Sequence, residues 1–136
     1  MPEADVDHIY NYPKGYIEDI LKSVKTIAMV GASGDKTKFS YGVLRVLHET
    51  GYEMLPVNPN PNIKEIRGLK VFHSLKQIDK PVDMVQVFRR KEELLSVAKE
   101  AIEINAKVLW GQIGVYDDEA ANLATAAGLK VIMNRC

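Results

Sequence analysis

TIAMVGASGDKTKFSYGVLRVLHETG, residues 26–51, is the stretch that decides the fold. Residues 26–30 are an apolar run. Residues 41–50 place Val43, Leu44, Val46 and Leu47 at helical spacing and stop at Gly51. Between them lie Gly31, Ala32, Ser33 and Gly34, then a polar group of residues from Asp35 to Ser40. A nearly continuous apolar run suits a strand covered on both faces, and a 3.6-residue period suits a helix packed on one of them. The stretch reads as strand, glycine turn, helix.

The same rhythm recurs along the chain. Further strand-like runs are YEMLPV (52–57), VDMVQVF (82–88), AKVLW (106–110) and LKVIM (129–133). Residues 91–104 carry Leu94, Leu95, Ala98, Ala101 and Ile102 on one helical face. Residues 117–127 begin with acids and stop at Gly128, the polarity expected of a capped helix. Strands alternating with helices imply an α/β domain with a doubly wound parallel sheet of about five strands. Right-handed crossovers put helices on both faces, giving three layers, α/β/α. Residues 58–80 interrupt the rhythm. NPNPN is a turn, the segment around Gly68 reads as a small hairpin-like excursion, and LKQI as one helical turn. Residues 14–23 suit a short amphipathic helix, and residues 1–13 a loose arm.

One domain, 1–136, accounts for the whole chain. The hydrophobic share of 46% is enough to build a core without disulfide or metal. Lys plus Arg equals Asp plus Glu at 18 each, against the basic excess expected of a nucleic-acid binder. No run reads as a signal peptide or as a membrane span of about 20 residues. With Cys136 the single cysteine, the expected compartment is the reducing cytoplasm. His8, His48 and His73 are scattered, so no metal site is expected.

In open parallel sheets ligands lie outside the carboxyl ends of the strands. The candidate groups are therefore those after each run: Gly31-Ala32-Ser33, Asn58-Pro59, Arg89-Arg90, Gly111-Gln112 and Asn134-Arg135-Cys136. Small residues at 31 and 32 let a ligand approach the backbone, and the following helix directs N–H groups and partial positive charge toward it. Ser33 and Ser40 add hydroxyls; Lys36 and Lys38 add charge. This suits a phosphate or pyrophosphate. The plainer reading is a strand-to-helix turn whose glycine only permits the backbone angle. The spacing is not the full G-x-G-x-x-G fingerprint. An NAD site also wants an acid after the second strand, where this chain has Val57-Asn58-Pro59. That favours a ribose-phosphorylated adenosine over NAD. Arg89 and Arg90 offer planar forks for phosphate, with Phe88 beside an adenine. Alternatively Phe88 is core and the arginines pair with Glu92 and Glu93.

VGAS, SYGVLRVLHETGYEMLPVNP, VDMVQVFRR, AKVLWGQIGV and AGLKVIMNRC together resemble the small stand-alone CoA-binding-domain proteins. These are Rossmann-like domains similar to the N-terminal domain of the succinyl-CoA synthetase alpha subunit. The resemblance runs from about residue 20 to 136. It implies coenzyme A as cofactor, with Gly31, Ala32, Ser33, Ser40 and Tyr41 facing its phosphates. It places Asn58, Pro59, Phe88 and Arg89 on the adenosine side, and Trp110 and Gln112 further along the cleft. Gly111 stands where a bulkier residue is expected.

The synthetase reaction needs a phosphorylated histidine and a partner domain. His48 and His73 read instead as structural or surface residues, and no catalytic residue is expected. Cys136 follows Arg135, and a nearby cation favours thiolate. It is either able to form a mixed disulfide with CoA or a spare thiol at a frayed end. The expected role is non-catalytic binding of CoA or acyl-CoA. The alternatives are an NAD(P)-type oxidoreductase or redox sensor, and a CoA-ligase subunit needing a partner. The expected partner is a small molecule, with neither nucleic acid nor membrane, and a homo-oligomer or a protein partner is left open.

Overall fold

The computed structural model describes residues 12–13 and 15–136. Five parallel strands form the sheet: β1 (Thr26–Val30), β2 (Glu53–Val57), β5 (Met84–Val87), β6 (Val108–Gly111) and β7 (Lys130–Ile132), in the order β2-β1-β5-β6-β7. Four helices alternate with them: α1 (Tyr16–Ser23), α2 (Phe39–Thr50), α3 (Leu94–Glu103) and α4 (Asp118–Ala126). The expected excursion is a two-stranded hairpin, β3 (Glu65–Ile66) with β4 (Leu69–Lys70), followed by a 3-10 turn over Leu75–Gln77. Its turn residues Arg67 and Gly68 both have positive φ, the conformation that matches strand twist in a tight hairpin.

Beyond the hairpin the chain returns to the sheet. Val57 bridges Phe72 in parallel, and the Phe72 N–H donates to the Pro56 carbonyl at 2.9 Å. Residues 71–72 are thus a rudimentary strand outside β2, so the order becomes the doubly wound 3-2-1-4-5-6. Pro56 is tolerated within β2 because its nitrogen points to this outer edge rather than to β1.

Each face of the sheet has its own core. Ala28, Val85, Val87, Leu109 and Val131 pack against Leu94, Ala98 and Ala101 of α3 and Ala120 and Ala124 of α4. Ile27, Met29, Met84, Val108, Trp110 and Ile132 pack against Ile20 of α1 and Leu44 of α2. Alternate residues of each strand supply the two faces, which is why the runs read as continuously apolar.

Both edge strands are partly covered. Residues 71–72 pair with the end of β2. At β7, the Tyr16 hydroxyl donates to the Val131 carbonyl (3.0 Å) and accepts from its N–H (3.2 Å), while the Tyr12 hydroxyl accepts from the Met133 N–H (2.6 Å). The two rings stack with centroids 5.5 Å apart. The arm expected over residues 1–13 otherwise lies outside the described residues. At the amino ends of the strands, Asp83 accepts from the N–H groups of Lys25 (2.8 Å) and Thr26 (3.2 Å). Among the described residues no helix is long and apolar enough to cross a membrane.

Candidate functional site

The chain reverses its direction of winding between β1 and β5, and there the turn after β1 meets the end of β5. Gly31 has φ +90, and a Cβ on it would stand 2.6 Å from the Phe88 carbonyl oxygen. Glycine is required by sterics as well as by backbone angle. The Gly31 N–H donates to the Val57 carbonyl (3.1 Å), and Asn58 Nδ2 donates to the Ala32 carbonyl (2.8 Å). Asn58 Oδ1 accepts from the Asn60 N–H (2.9 Å). The ends of three adjacent strands are laced by these contacts, and Asn58, expected beside an adenosine, spends its side chain on the lacing.

Ala32 is fully buried, so its contribution to the turn is small size. Ser33 Oγ accepts from the Asp35 N–H (3.0 Å), leaving its hydroxyl proton free to donate outward. The Thr37 hydroxyl and N–H bond Asp35 Oδ1 and hold its carboxyl below the usual carboxylate range. Lys38 occupies the cap position of α2, and no side chain caps that helix. Its first turn therefore leaves the N–H groups of Phe39 and Ser40 without an acceptor within the helix, while those of Tyr41 and Gly42 donate to the Lys38 carbonyl; Ser40 is buried and Tyr41 half-buried.

At the end of β6 the Gln112 N–H donates to the Val87 carbonyl (3.3 Å). The Gln112 side chain is only 4% exposed, and neither its Oε1 nor its Nε2 has a hydrogen-bond partner among the described residues. A buried amide left unpaired costs about 1–3 kcal/mol, so a group unpaired on both atoms calls for a ligand or other partner. The bulk expected at position 111 is excluded: a Cβ on Gly111 would overlap the Val115 carbonyl oxygen, because residues 112–115 fold back over it.

The chain end is anchored by this same turn. Asn134 Oδ1 accepts from the Gly114 N–H (2.7 Å), the Arg135 N–H donates to the Gly111 carbonyl (3.2 Å), and Trp110 Nε1 donates to the Arg135 carbonyl (3.0 Å). Cys136 is exposed but follows a fixed residue.

Two clefts take up part of the candidate set, Pro59 and Arg89 in one, Lys38 and Cys136 in the other. Toward α3, a cleft of about 380 Å³ is lined by Pro59, His73, Ser74, Arg89 and Glu93. Toward α2, a groove of about 600 Å³ is lined by Lys38, Phe39, Gln86, Trp110 and Cys136 among others. Phe39, on the lining of the groove, and Phe88 have ring centroids 6.2 Å apart.

Both arginines after β5 are paired with one acid. Arg89 bonds Glu93 Oε1 through Nε (2.9 Å) and NH2 (2.7 Å), and Arg90 Nε reaches Glu93 Oε2 at 3.4 Å. Arg89 holds the Glu93 carboxyl below its ordinary pKa, Arg90 adding to the effect. A phosphate arriving here must compete with Glu93. His73, read from sequence as structural or surface, places Nδ1 3.0 Å from the Asn58 carbonyl oxygen and also lines the cleft.

Reading from sequence missed Gln86 and Phe39 as parts of these surfaces, and had Glu93 only as a partner for the arginines. Gln86 had a signal: it is the lone polar residue inside the run MVQV.

A doubly wound sheet with an uncapped helix start, a tight glycine turn and orphaned amides at its carboxyl edge defines a nucleotide-type binding domain. Comparison narrows the class: residues 25–136 match the family described as CoA binding domain, and the chain belongs to that family. It is 43% identical over 126 residues to an uncharacterized protein of Bacillus subtilis, YneT, covering 93% of this chain and 92% of that one. A hypothetical protein from Pyrococcus horikoshii OT3 has a structure similar to it with a TM-score of 0.88, at 33% identity, covering all of this chain and 93% of the other. The alpha subunit of an ADP-forming acetate–CoA ligase I from Pyrococcus furiosus is 32% identical over 95 residues, which span 67% of this chain but 21% of that subunit.

Proposed function

We propose that this chain binds coenzyme A, or an acyl-CoA, as a non-catalytic module. The family match over residues 25–136 carries the reading, and Gln112, buried at the carboxyl edge of the sheet with both amide atoms unpaired, adds to it. The turn Gly31-Ala32-Ser33 and the first turn of α2 receive the phosphates. Arg89 and Pro59 face the adenosine side, where the lack of an acid after β2 suits a phosphorylated ribose better than the free diol of NAD. The chain matches 21% of the ligase subunit, so that enzyme's reaction is not carried over to it. Calorimetric titration with CoA, and with NAD as comparison, tests the reading. CoA binding that weakens tenfold or more in Gln112→Leu supports it; binding of NAD alone, or of neither, rejects it.

Cys136 lies on the rim of the groove beside Trp110 and Gln86. The reading includes exchange with oxidised CoA. The Cys136 thiolate attacks the CoA disulfide, a mixed Cys136–CoA disulfide forms, and one CoA thiolate leaves and takes up a proton. Intact mass after incubation with CoA disulfide checks this. A reductant-sensitive adduct absent from Cys136→Ser is expected, and no adduct on the parent protein removes this part of the reading.

A further inference from the structure

The groove along α2 asks for an occupant of its own. Val43, Val46 and Leu47 of α2 form one wall, Leu21 of α1 closes the far end, and Met84, Gln86 and Trp110 make the floor. Phe39 and Val46 are 59% and 51% exposed on its rim. Its volume of about 600 Å³ lies in the range of small-molecule sites. The charged residues along it are Lys38 and Arg45, both cations.

Two features point to a ligand with a polar joint. The Gln86 side chain is 4% exposed within an apolar floor, and its Oε1 has no hydrogen-bond partner among the described residues. Turning the terminal amide over exchanges oxygen for nitrogen, so the floor can offer either an acceptor or a donor. The groove also begins at the start of α2, where the proposed function seats phosphate, since Lys38 caps that helix and Phe39 opens it. From Phe39 to Leu47 it extends for about 12 Å at 1.5 Å per helical residue.

We infer that the groove receives the thioester arm of an acyl-CoA carrying an apolar acyl group. The Gln86 amide meets the polar amide or thioester part of the arm, and Val43, Val46 and Leu47 take the hydrocarbon. The inference rests on the CoA reading and selects the substrate class within it. A second copy of the chain laid across the rim would bury Phe39 and Val46 but leave the floor amide unpaired.

The test compares CoA, octanoyl-CoA and free octanoate by calorimetry and by the emission of Trp110, the single tryptophan. Octanoyl-CoA is expected to bind at least tenfold more tightly than CoA and to shift Trp110 emission to the blue. In Val46→Glu, a substitution at an exposed rim position, the octanoyl-CoA to CoA affinity ratio should fall close to one. Gln86→Leu should weaken octanoyl-CoA at least fivefold. Equal affinity for CoA and octanoyl-CoA overturns the inference while leaving CoA binding standing. Octanoate binding as tightly as the thioester overturns the assignment to a CoA ester. A dimer in sedimentation that becomes monomeric in Val46→Glu, without a Trp110 response to octanoyl-CoA, gives the groove to a second copy and overturns it too. Binding of none of the three rejects the CoA reading, and this inference with it.

Discussion

Gly31→Ala isolates what the first turn demands. The substitution puts a Cβ in the left-handed region, at φ +90, which costs an L-residue about 1–2 kcal/mol. The new methyl also stands 2.6 Å from the Phe88 carbonyl oxygen and 2.9 Å from its carbon. Both are backbone atoms, so no side-chain rotation relieves the contact. Reaching an ordinary 3.4 Å requires the β1 turn and the end of β5 to separate by about 0.8 Å. That separation strains the bond from the Phe88 N–H to the Val30 carbonyl, 2.8 Å long, worth about 0.5–1.5 kcal/mol. The total is about 1.5–3.5 kcal/mol. With a urea m-value of about 2 kcal/mol/M, the unfolding midpoint should fall by about 0.8–1.8 M. Gly34→Ala is the control, because its φ is not positive and its nearest neighbour is an Ile66 carbon at 3.9 Å. It should be neutral or stabilise by about 0.4–1 kcal/mol. Urea denaturation followed by circular dichroism measures both. A loss below about 0.5 kcal/mol for Gly31→Ala would show that the two strand ends are not in contact and refute the lacing of the site.

Three further outcomes follow from other parts of the molecule. Glu93→Gln removes the acid that Arg89 and Arg90 share, and CoA should then bind about 2–10-fold more tightly in calorimetry, with a steeper salt dependence. Asp83→Asn should cost about 1–3 kcal/mol in urea denaturation, since the N–H groups of Lys25 and Thr26 lose a charged acceptor. Partial burial pushes the Asp83 carboxyl upward, but those two N–H groups and the Lys107 ammonium together hold it below the ordinary value of 3.8. Its contribution is therefore present above the unfolded-state pKa and lost as pH falls through the lower folded-state one, so the parent's advantage over Asp83→Asn should shrink below about pH 4. Tyr16→Phe removes one hydroxyl that serves both the N–H and the carbonyl of Val131, and should lower stability by about 1–2 kcal/mol in thermal unfolding.

The strand runs and helices were legible because burial on both sides of a parallel sheet leaves a strong mark: short apolar stretches, separated by helical periods that end at glycines. α2 starts at Phe39, two residues before the apolar pattern does, because the Lys38 carbonyl accepts from Tyr41 and Gly42. The rudimentary strand at 71–72 left little trace, since two residues show no alternation and their pairing with β2 is non-local. At the site, the turn and Gln112 stood out by position after a strand. The pairing of Arg89 and Arg90 with Glu93 was one of two readings open in the sequence, and local geometry three and four residues apart decides it. The allocation of Lys38 and Cys136 to one surface and of Pro59 and Arg89 to another depends on which face of the sheet each loop leaves, which residue order does not encode. Gln86 lay inside an apolar run, where a polar residue matters only once its missing partner is seen.

The phenol-covered rim of β7 bears on how the protein behaves in a crowd of its own copies. An uncovered outer strand offers a row of backbone donors and acceptors to any extended chain, including a partly folded sibling. Tyr12 and Tyr16 occupy that row at Val131 and Met133 with rigid rings that cannot propagate a ladder. They come from the segment ahead of the sheet, while the strand they cover is the last of the five sheet strands in chain order. A nascent chain thus carries the cover for that edge before the edge exists, and a chain shortened past Tyr16 would leave the backbone groups of Val131 and Met133 open to strand pairing.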